Sequence, residues 1–299
     1  MLRLRIVSSC VLVASIVLIV WFSRGWSSVF IPIGFSVLGT TALLEFYHLM
    51  EQKGFQPMRL WGCAFSVVYV FFLYLVALNK LPKGEELALI PMYLAVFTAA
   101  LVITFRGQID NALSTLAVSL AGFLYIIWLL SFNLRIVLWR GVDELDGRYF
   151  FVFFVVLLKS TDIAAYFYGS RFGRRKLAAH ISPHKTVEGA IAGLLTSALL
   201  GALLAPSLAS VRLFYGRLSA NVLGMDTLWS VALLGALTGV LLSVLGQLSD
   251  LAESVWKRCA NVKDSAGYIP GMGGALDVLD SFLFSAPVMY LLMKILERQ

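Results

Sequence analysis

Seven stretches of this chain are free of charge over lengths that cross a hydrocarbon core: Ile6 to Ser23, Gly25 to Leu44, Leu60 to Asn79, Leu87 to Phe105, Asn111 to Leu134, Gly189 to Val211 and Thr227 to Ser249. A bilayer takes about 20 apolar residues per helical span. It offers no water to a peptide N–H or C=O, so each stretch must satisfy its own backbone, which a single segment does as an α-helix. Two further spans carry charge. Tyr149 to Ser170 is interrupted by Lys159 and Asp162, and Phe282 to Leu296 contains Lys294, which can reach the interface along its aliphatic stem. The expected class is all-α, a polytopic integral membrane protein with about nine transmembrane helices. Only 14% of residues are charged, against about 25% in soluble domains, which excludes a water-soluble globular fold.

Arg3 and Arg5 precede the first span as they would a signal peptide. The uncharged run is long for such a leader and SRGWSS offers no small-residue cleavage site, so a retained helix is expected. Cys10, Cys63 and Cys259 are odd in number and scattered, with neither a disulfide framework nor zinc spacing. With the N-terminus cytoplasmic, 13 Lys and Arg fall on the cytoplasmic side and 10 on the other. This modest positive-inside bias places the loop from Arg171 to Lys185 and the polar run from Gln247 to Ser281 on the cytoplasmic face.

The chain divides into residues 1–148, bland helices joined by short loops, and residues 149–299, where the chemistry concentrates. In the first part only Glu45 and His48 stand out, and both are expected at the interface near a helix end. In the second, Lys159 and Asp162 share a helical face and should pair, face a wet cavity, or both. A basic loop ends in Ser182-Pro183-His184-Lys185-Thr186, where Ser182 or Thr186 can cap the next helix with Glu188 in its first turn. Such a helix start beside Lys185 is suited to an anion; taken alone, an ordinary cap with a positive-inside anchor is the simpler explanation.

Asp250, Glu253, Ser254 and Lys257 follow at helical spacing on one face. Alone, they read equally well as a salt-bridged interfacial helix end. The remainder decides: Lys263-Asp264, then the glycine-bearing Ile269-Pro270-Gly271-Met272-Gly273-Gly274, then Asp277 and Asp280 three apart at the start of the last span. Two carboxylate-bearing helix ends joined by a basic, glycine-bearing loop can clamp Mg²⁺ and the phosphates it carries.

These residues resemble the phosphatidate cytidylyltransferases, or CDP-diacylglycerol synthases. Ser254, Lys257, Arg258, Lys263, Asp264, Ile269, Pro270, Gly271, Gly273, Gly274, Asp277 and Asp280 match the family signature at fixed spacing. Gln247, Asp250, Glu253 and Ser254 are similar to its Q-x-G-D-L-x-E-S, with Ser249 for Gly. Asp162, Ala165, Tyr166 and Gly169 are similar to its D-x-x-A-Y-x-x-G, and Ser182, Pro183, Lys185, Thr186, Glu188 and Gly189 to its S-P-K-K-T-x-E-G. Met272 stands where the family usually has His and Val278 where it usually has Arg.

The resemblance implies transfer of a cytidylyl group from CTP to phosphatidic acid in the inner (cell) membrane, with a cytoplasmic active site. It implies Mg²⁺, with a second cation left open, at Asp250, Asp277 and Asp280. Lys257, Arg258, Lys263 and Lys185 would meet phosphates, Ser254 and the Gly273-Gly274 backbone would position them, and Ser182, Asp264 and Asp162 would contact substrate or support those that do. CTP, phosphatidic acid and membrane lipid are the partners, with no nucleic acid. Gly189, Ala192, Gly193, Ser197 and Gly201 permit close helix packing within a subunit or in a homodimer. The competing readings are a CTP-dependent polyprenol kinase or related lipid cytidylyltransferase, which would share the motifs, and an ion-coupled transporter using Lys159, Asp162 and Asp250. The latter gives the Lys/Asp/Gly motif no role.

Overall fold

The computed structural model describes residues 28–78, 94, 96–102, 111–140, 146–208, 211, 215, 227–267 and 273–297. Among them seven helices are long and apolar enough to cross a membrane, where nine were expected. Of the two other expected spans, Ile6 to Ser23 lies outside the described residues and Leu87 to Phe105 largely so. The class is nevertheless all-helical and polytopic, and the protein is an integral membrane protein.

The chain forms two compact units, Met1–Arg135 with Trp256–Leu279, and Ile136–Val255 with Asp280–Gln299. The last two long helices each contribute residues to both units, which a reading in chain order does not anticipate.

In the first unit, α1 (Phe30–Glu51) and α2 (Arg59–Ala77) pack with the span Ala112–Leu138 as far as Arg135. That span comprises α3 (Ala112–Gly122), a π-helical stretch (Phe123–Trp128) and α4 (Leu129–Leu138). Tyr47 is the pivot. Its side chain fills the space a Cβ would need at both Gly62 and Gly122, 2.6 Å away in each case, so α2 and α3 can approach α1 only because those positions lack side chains. The phenol donates to the Ser119 carbonyl at 2.8 Å, satisfying its buried hydroxyl. Phe46 and Tyr125 lie edge-on to Trp256, at centroid separations of 5.7 and 6.1 Å.

In the second unit, α5 (Gly147–Phe172) begins at Asp146, whose carboxylate accepts the Arg148 N–H at 3.0 Å and pairs with Arg140 and Arg148. The basic loop is an antiparallel hairpin, β1 (Lys176–Ala178) with β2 (Ser182–Thr186), a short sheet the helical patterning does not disclose. Of the two candidate caps, Thr186 is the one used. Its Oγ1 accepts the Gly189 N–H at 3.2 Å and starts α6 (Val187–Ser207), while Ser182 lies opposite Ala178 in the hairpin. Glu188 accepts the N–H groups of Arg174 and Arg175 at 3.0 and 3.2 Å, tying the hairpin to that helix start.

Four residues of the small-residue stripe, Gly189, Gly193, Ser197 and Gly201, pack within the chain. Gly189 and Gly193 face α5, while Gly201 meets Gly235 of α7 (Leu228–Cys259) and Ser197 Oγ donates to the Gly239 carbonyl at 3.0 Å. A Cβ at Gly201 would collide with the Gly235 carbonyl. Gly201→Val should therefore cost about 1–3 kcal/mol through overpacking. A clear fall in the thermal midpoint in detergent is expected; a wild-type midpoint would contradict this packing.

Candidate active site

At 1.5 Å per residue the 32 residues of α7 extend about 48 Å, well beyond a hydrocarbon core of about 30 Å. The apolar part can span while the end from Asp250 to Cys259 carries polar groups. The helix closes on Asn261, which is left-handed at φ 59°. The Val262 N–H reaches the Lys257 carbonyl and the Asn261 N–H the Arg258 carbonyl, both at 3.0 Å, the Schellman pattern that turns a chain sharply at a helix end. The final helix, α8 (Ala275–Glu297), follows that turn.

One polar cluster lies in the second unit. Asp250 and Glu253 of α7 and Asp280 of α8 each offer a carboxylate oxygen, all within 4.8 Å of one another. Lys185 of the hairpin holds Asp250 in an ion pair at 2.5 Å. Lys159 Nζ lies 3.2 Å from both Asp162 Oδ2 and Ser281 Oγ and 4.8 Å from the centre of the Phe282 ring, so the intramembrane charges pair as expected. Lys159 also lies in the field of Asp250 and Asp280. Ser249, where the signature has Gly, bonds the Asp280 carbonyl and accepts the Phe284 N–H at 3.3 Å, fastening α7 to α8 beside the acids.

Carboxylate oxygens this close repel one another, and a hard divalent cation with oxygen ligands at about 2.0–2.6 Å relieves that repulsion. The donor set fits such an ion. Glu253, fully buried, belongs to this acidic group, whereas only Asp250 and Asp280 of the expected metal residues do.

The other cluster lies in the first unit and contains the third expected metal residue. Asp277 Oδ1 accepts the Lys257 ammonium at 2.5 Å, and its Oδ2 takes the Ser265 N–H at 3.0 Å, the Ser265 hydroxyl at 2.7 Å and the Gly274 N–H at 2.8 Å. Both side chains of the ion pair are close to fully buried, at 11% and 8% exposed. Gly273 is left-handed at φ 92°, and a Cβ there would meet the Asp277 carboxylate.

Glu45 is more than a polar group near a helix end: it is 4% exposed, accepting the Ala275 N–H at 2.8 Å, the Leu276 N–H at 2.9 Å and the Ser265 hydroxyl at 2.6 Å. Its neighbour His48 is exposed and lies 3.2 Å from Gln52 Nε2. Ser254 is buried near the end of α7, the exposed Arg258 folds back on the Val262 carbonyl at 2.9 Å, and Lys263 and Asp264 are exposed. Val278 is a buried apolar side chain within its unit, while Ile269 to Met272 lie outside the described residues. Ser265 and Glu45 carry no motif signal. A lone acid in an apolar helix and a glycine just before a helix start are the clues to Glu45.

Apolar helices bearing carboxylates and amines at their ends define an integral membrane protein with an acidic group that could hold a cation. Residues 3–296 match the family model described as "Cytidylyltransferase family", and the chain belongs to that family. It is 36% identical over 257 residues to the phosphatidate cytidylyltransferase of Bacillus subtilis, covering 86% of each chain. It is 32% identical over 238 residues to that of Chlamydia muridarum, covering 77% of this chain and 72% of the relative. "Uncharacterized protein YnbB" of Escherichia coli is 28% identical over 265 residues, 86% of this chain and 76% of that one.

Proposed function

We propose that this protein is a phosphatidate cytidylyltransferase, converting CTP and phosphatidic acid to CDP-diacylglycerol and pyrophosphate. The observation that carries the reading is the grouping of Asp250, Glu253 and Asp280 beside Lys185, at positions belonging to separate motifs of the chain. A phosphate oxygen of the lipid forms a bond to the α-phosphorus of CTP. The bond from that phosphorus to the oxygen bridging to the β-phosphate breaks, and pyrophosphate leaves with the electron pair. A phosphomonoester has its second pKa near 6, so the attacking oxygen is largely ionised at neutral pH and needs no strong base.

The difficulty is bringing two anions together and offsetting charge on the leaving group. Asp250, Glu253 and Asp280 would hold Mg²⁺, which would supply part of that positive charge. Lys185 would supply more beside that acidic group, and Lys257, Arg258 and Lys263, with Ser254 and Asp264, are the further residues that the family signature assigns to substrate. Asp162 serves by holding Lys159. The Gly274 N–H, bonded to Asp277, stabilises the turn rather than a phosphate. The site faces the cytoplasm, where CTP is available.

Pyrophosphate release by the purified protein in detergent, with phosphatidic acid, CTP and Mg²⁺, tests this. Release that needs both lipid and CTP, and fails with ATP, is expected. CDP release instead would assign a kinase, and no release from folded, metal-supplied protein would overturn the reading.

A further inference from the structure

An ordinary helix start carries Ser, Thr, Asp or Asn at its cap, whose side chain accepts the free N–H groups of the first turn. At α8 the cap position is Gly274, which has no side chain. Asp277, three residues on, reaches back to the Gly274 N–H as the third residue of a capping box does. The missing half of the box comes from 230 residues away. Glu45 of α1 accepts the N–H groups of Ala275 and Leu276, and a Cβ at Gly274 would collide with the Glu45 carboxylate and the Ser265 hydroxyl. The glycine thus vacates the space that Glu45 fills.

The Ser265 hydroxyl, 2.6 Å from Glu45 Oε2 and 2.7 Å from Asp277 Oδ2, joins the two acids. Asp277 in turn holds Lys257. At the other end of the same chain of contacts, Phe46 and Trp256, next in sequence to Glu45 and Lys257, lie against each other edge-to-face. A buried carboxylate from α1 is therefore fixed twice to the elements that carry Lys257 and Asp277.

We propose that Glu45 is a positioning residue of the cytidylyltransferase reaction: it is the distant N-cap of α8, and through Ser265 and the Gly273-Gly274 turn it sets the place of Asp277 and so of the Lys257 ammonium. This rests on the function proposed above, where Lys257 meets substrate phosphate. Displacing a charged group by about 1 Å can lower turnover up to about 100-fold. Glu45→Gln keeps the shape but loses one of two acceptor oxygens and the charge.

The test compares wild type, Glu45→Gln, Glu45→Ala, Gly274→Ser and the double variant Glu45→Ala with Gly274→Ser. Glu51→Gln, which alters an exposed pair with Arg59, is the control. Turnover is read as kcat and KM for CTP and phosphatidic acid, well below every thermal midpoint, together with hydrogen exchange of the Ser265 to Asp277 amides. Glu45→Gln should lower kcat about 10- to 100-fold, with KM changed less than about 3-fold, and speed exchange at Ala275 and Leu276. Gly274→Ser should be impaired alone yet improve the Glu45→Ala background by providing a local cap. Wild-type kcat in Glu45→Gln, or a lowered kcat with unchanged exchange, would overturn the proposal. If wild type releases no pyrophosphate, the proposed function fails separately. In that case exchange still decides the cap: unchanged exchange overturns it, and faster exchange leaves Glu45 positioning Asp277 and Lys257 for another phosphate reaction.

Discussion

Asp250→Asn should lower pyrophosphate release by roughly a thousand-fold while leaving the protein folded, a loss at the upper end of what removal of one fixed electrostatic group produces. Three carboxylates within 4.8 Å oppose one another unless cations lie among them. Lys185 offsets part of that charge through its 2.5 Å pair with Asp250. An amide at position 250 keeps the volume, lowers the repulsion and gives up a ligand. The signature is therefore double. In chelator, the variant's thermal midpoint should equal or exceed that of wild type, because fewer like charges are crowded. Added Mg²⁺ should raise the wild-type midpoint, as any ligand that binds only the folded state must, and should do little for the variant. Activity near wild type, or an undiminished Mg²⁺ effect, would remove Asp250 from the cation site.

Much of this arrangement is legible in the sequence because membranes simplify the reading. Uncharged runs of sufficient length can only be helices, and five of the seven spans among the described residues fall on such runs; the other two are the expected spans that carry charge. Asp250, Glu253 and Lys257 are recognisable because helical spacing places them on one face, and Lys159 with Asp162 because a lone intramembrane charge is costly. The hairpin Lys176–Ala178 with Ser182–Thr186 is hidden, since strands this short carry no usable alternation. The partners of the acids are hidden for a related reason. Spacing shows that Asp277 and Asp280 share a helix, about 60° apart around its axis at 3.6 residues per turn, but not which neighbours each meets. The role of Glu45 is hidden because its partners are backbone N–H groups at Ala275 and Leu276, which no side-chain motif announces.

Asp277→Asn separates the two acids, since it should be damaging in a different way. Turnover should fall at least about 100-fold, as for a group that fixes charge at the reacting phosphates, but here the fold itself should weaken. The amide that replaces the carboxylate can still accept from Gly274 and Ser265, yet the Lys257 ammonium, 11% exposed, loses its counter-charge. Removing one partner of a buried ion pair costs about 3–5 kcal/mol, whereas replacing both by uncharged groups is often nearly neutral. Adding Lys257→Met to Asp277→Asn should therefore recover much of the lost thermal midpoint and none of the turnover. The rise in midpoint with Mg²⁺ should persist in both variants, because the cation's proposed ligands are Asp250, Glu253 and Asp280. Loss of that rise in Asp277→Asn would return Asp277 to the cation site, and a double variant no more stable than the single would show that the ion pair with Lys257 does not hold the turn.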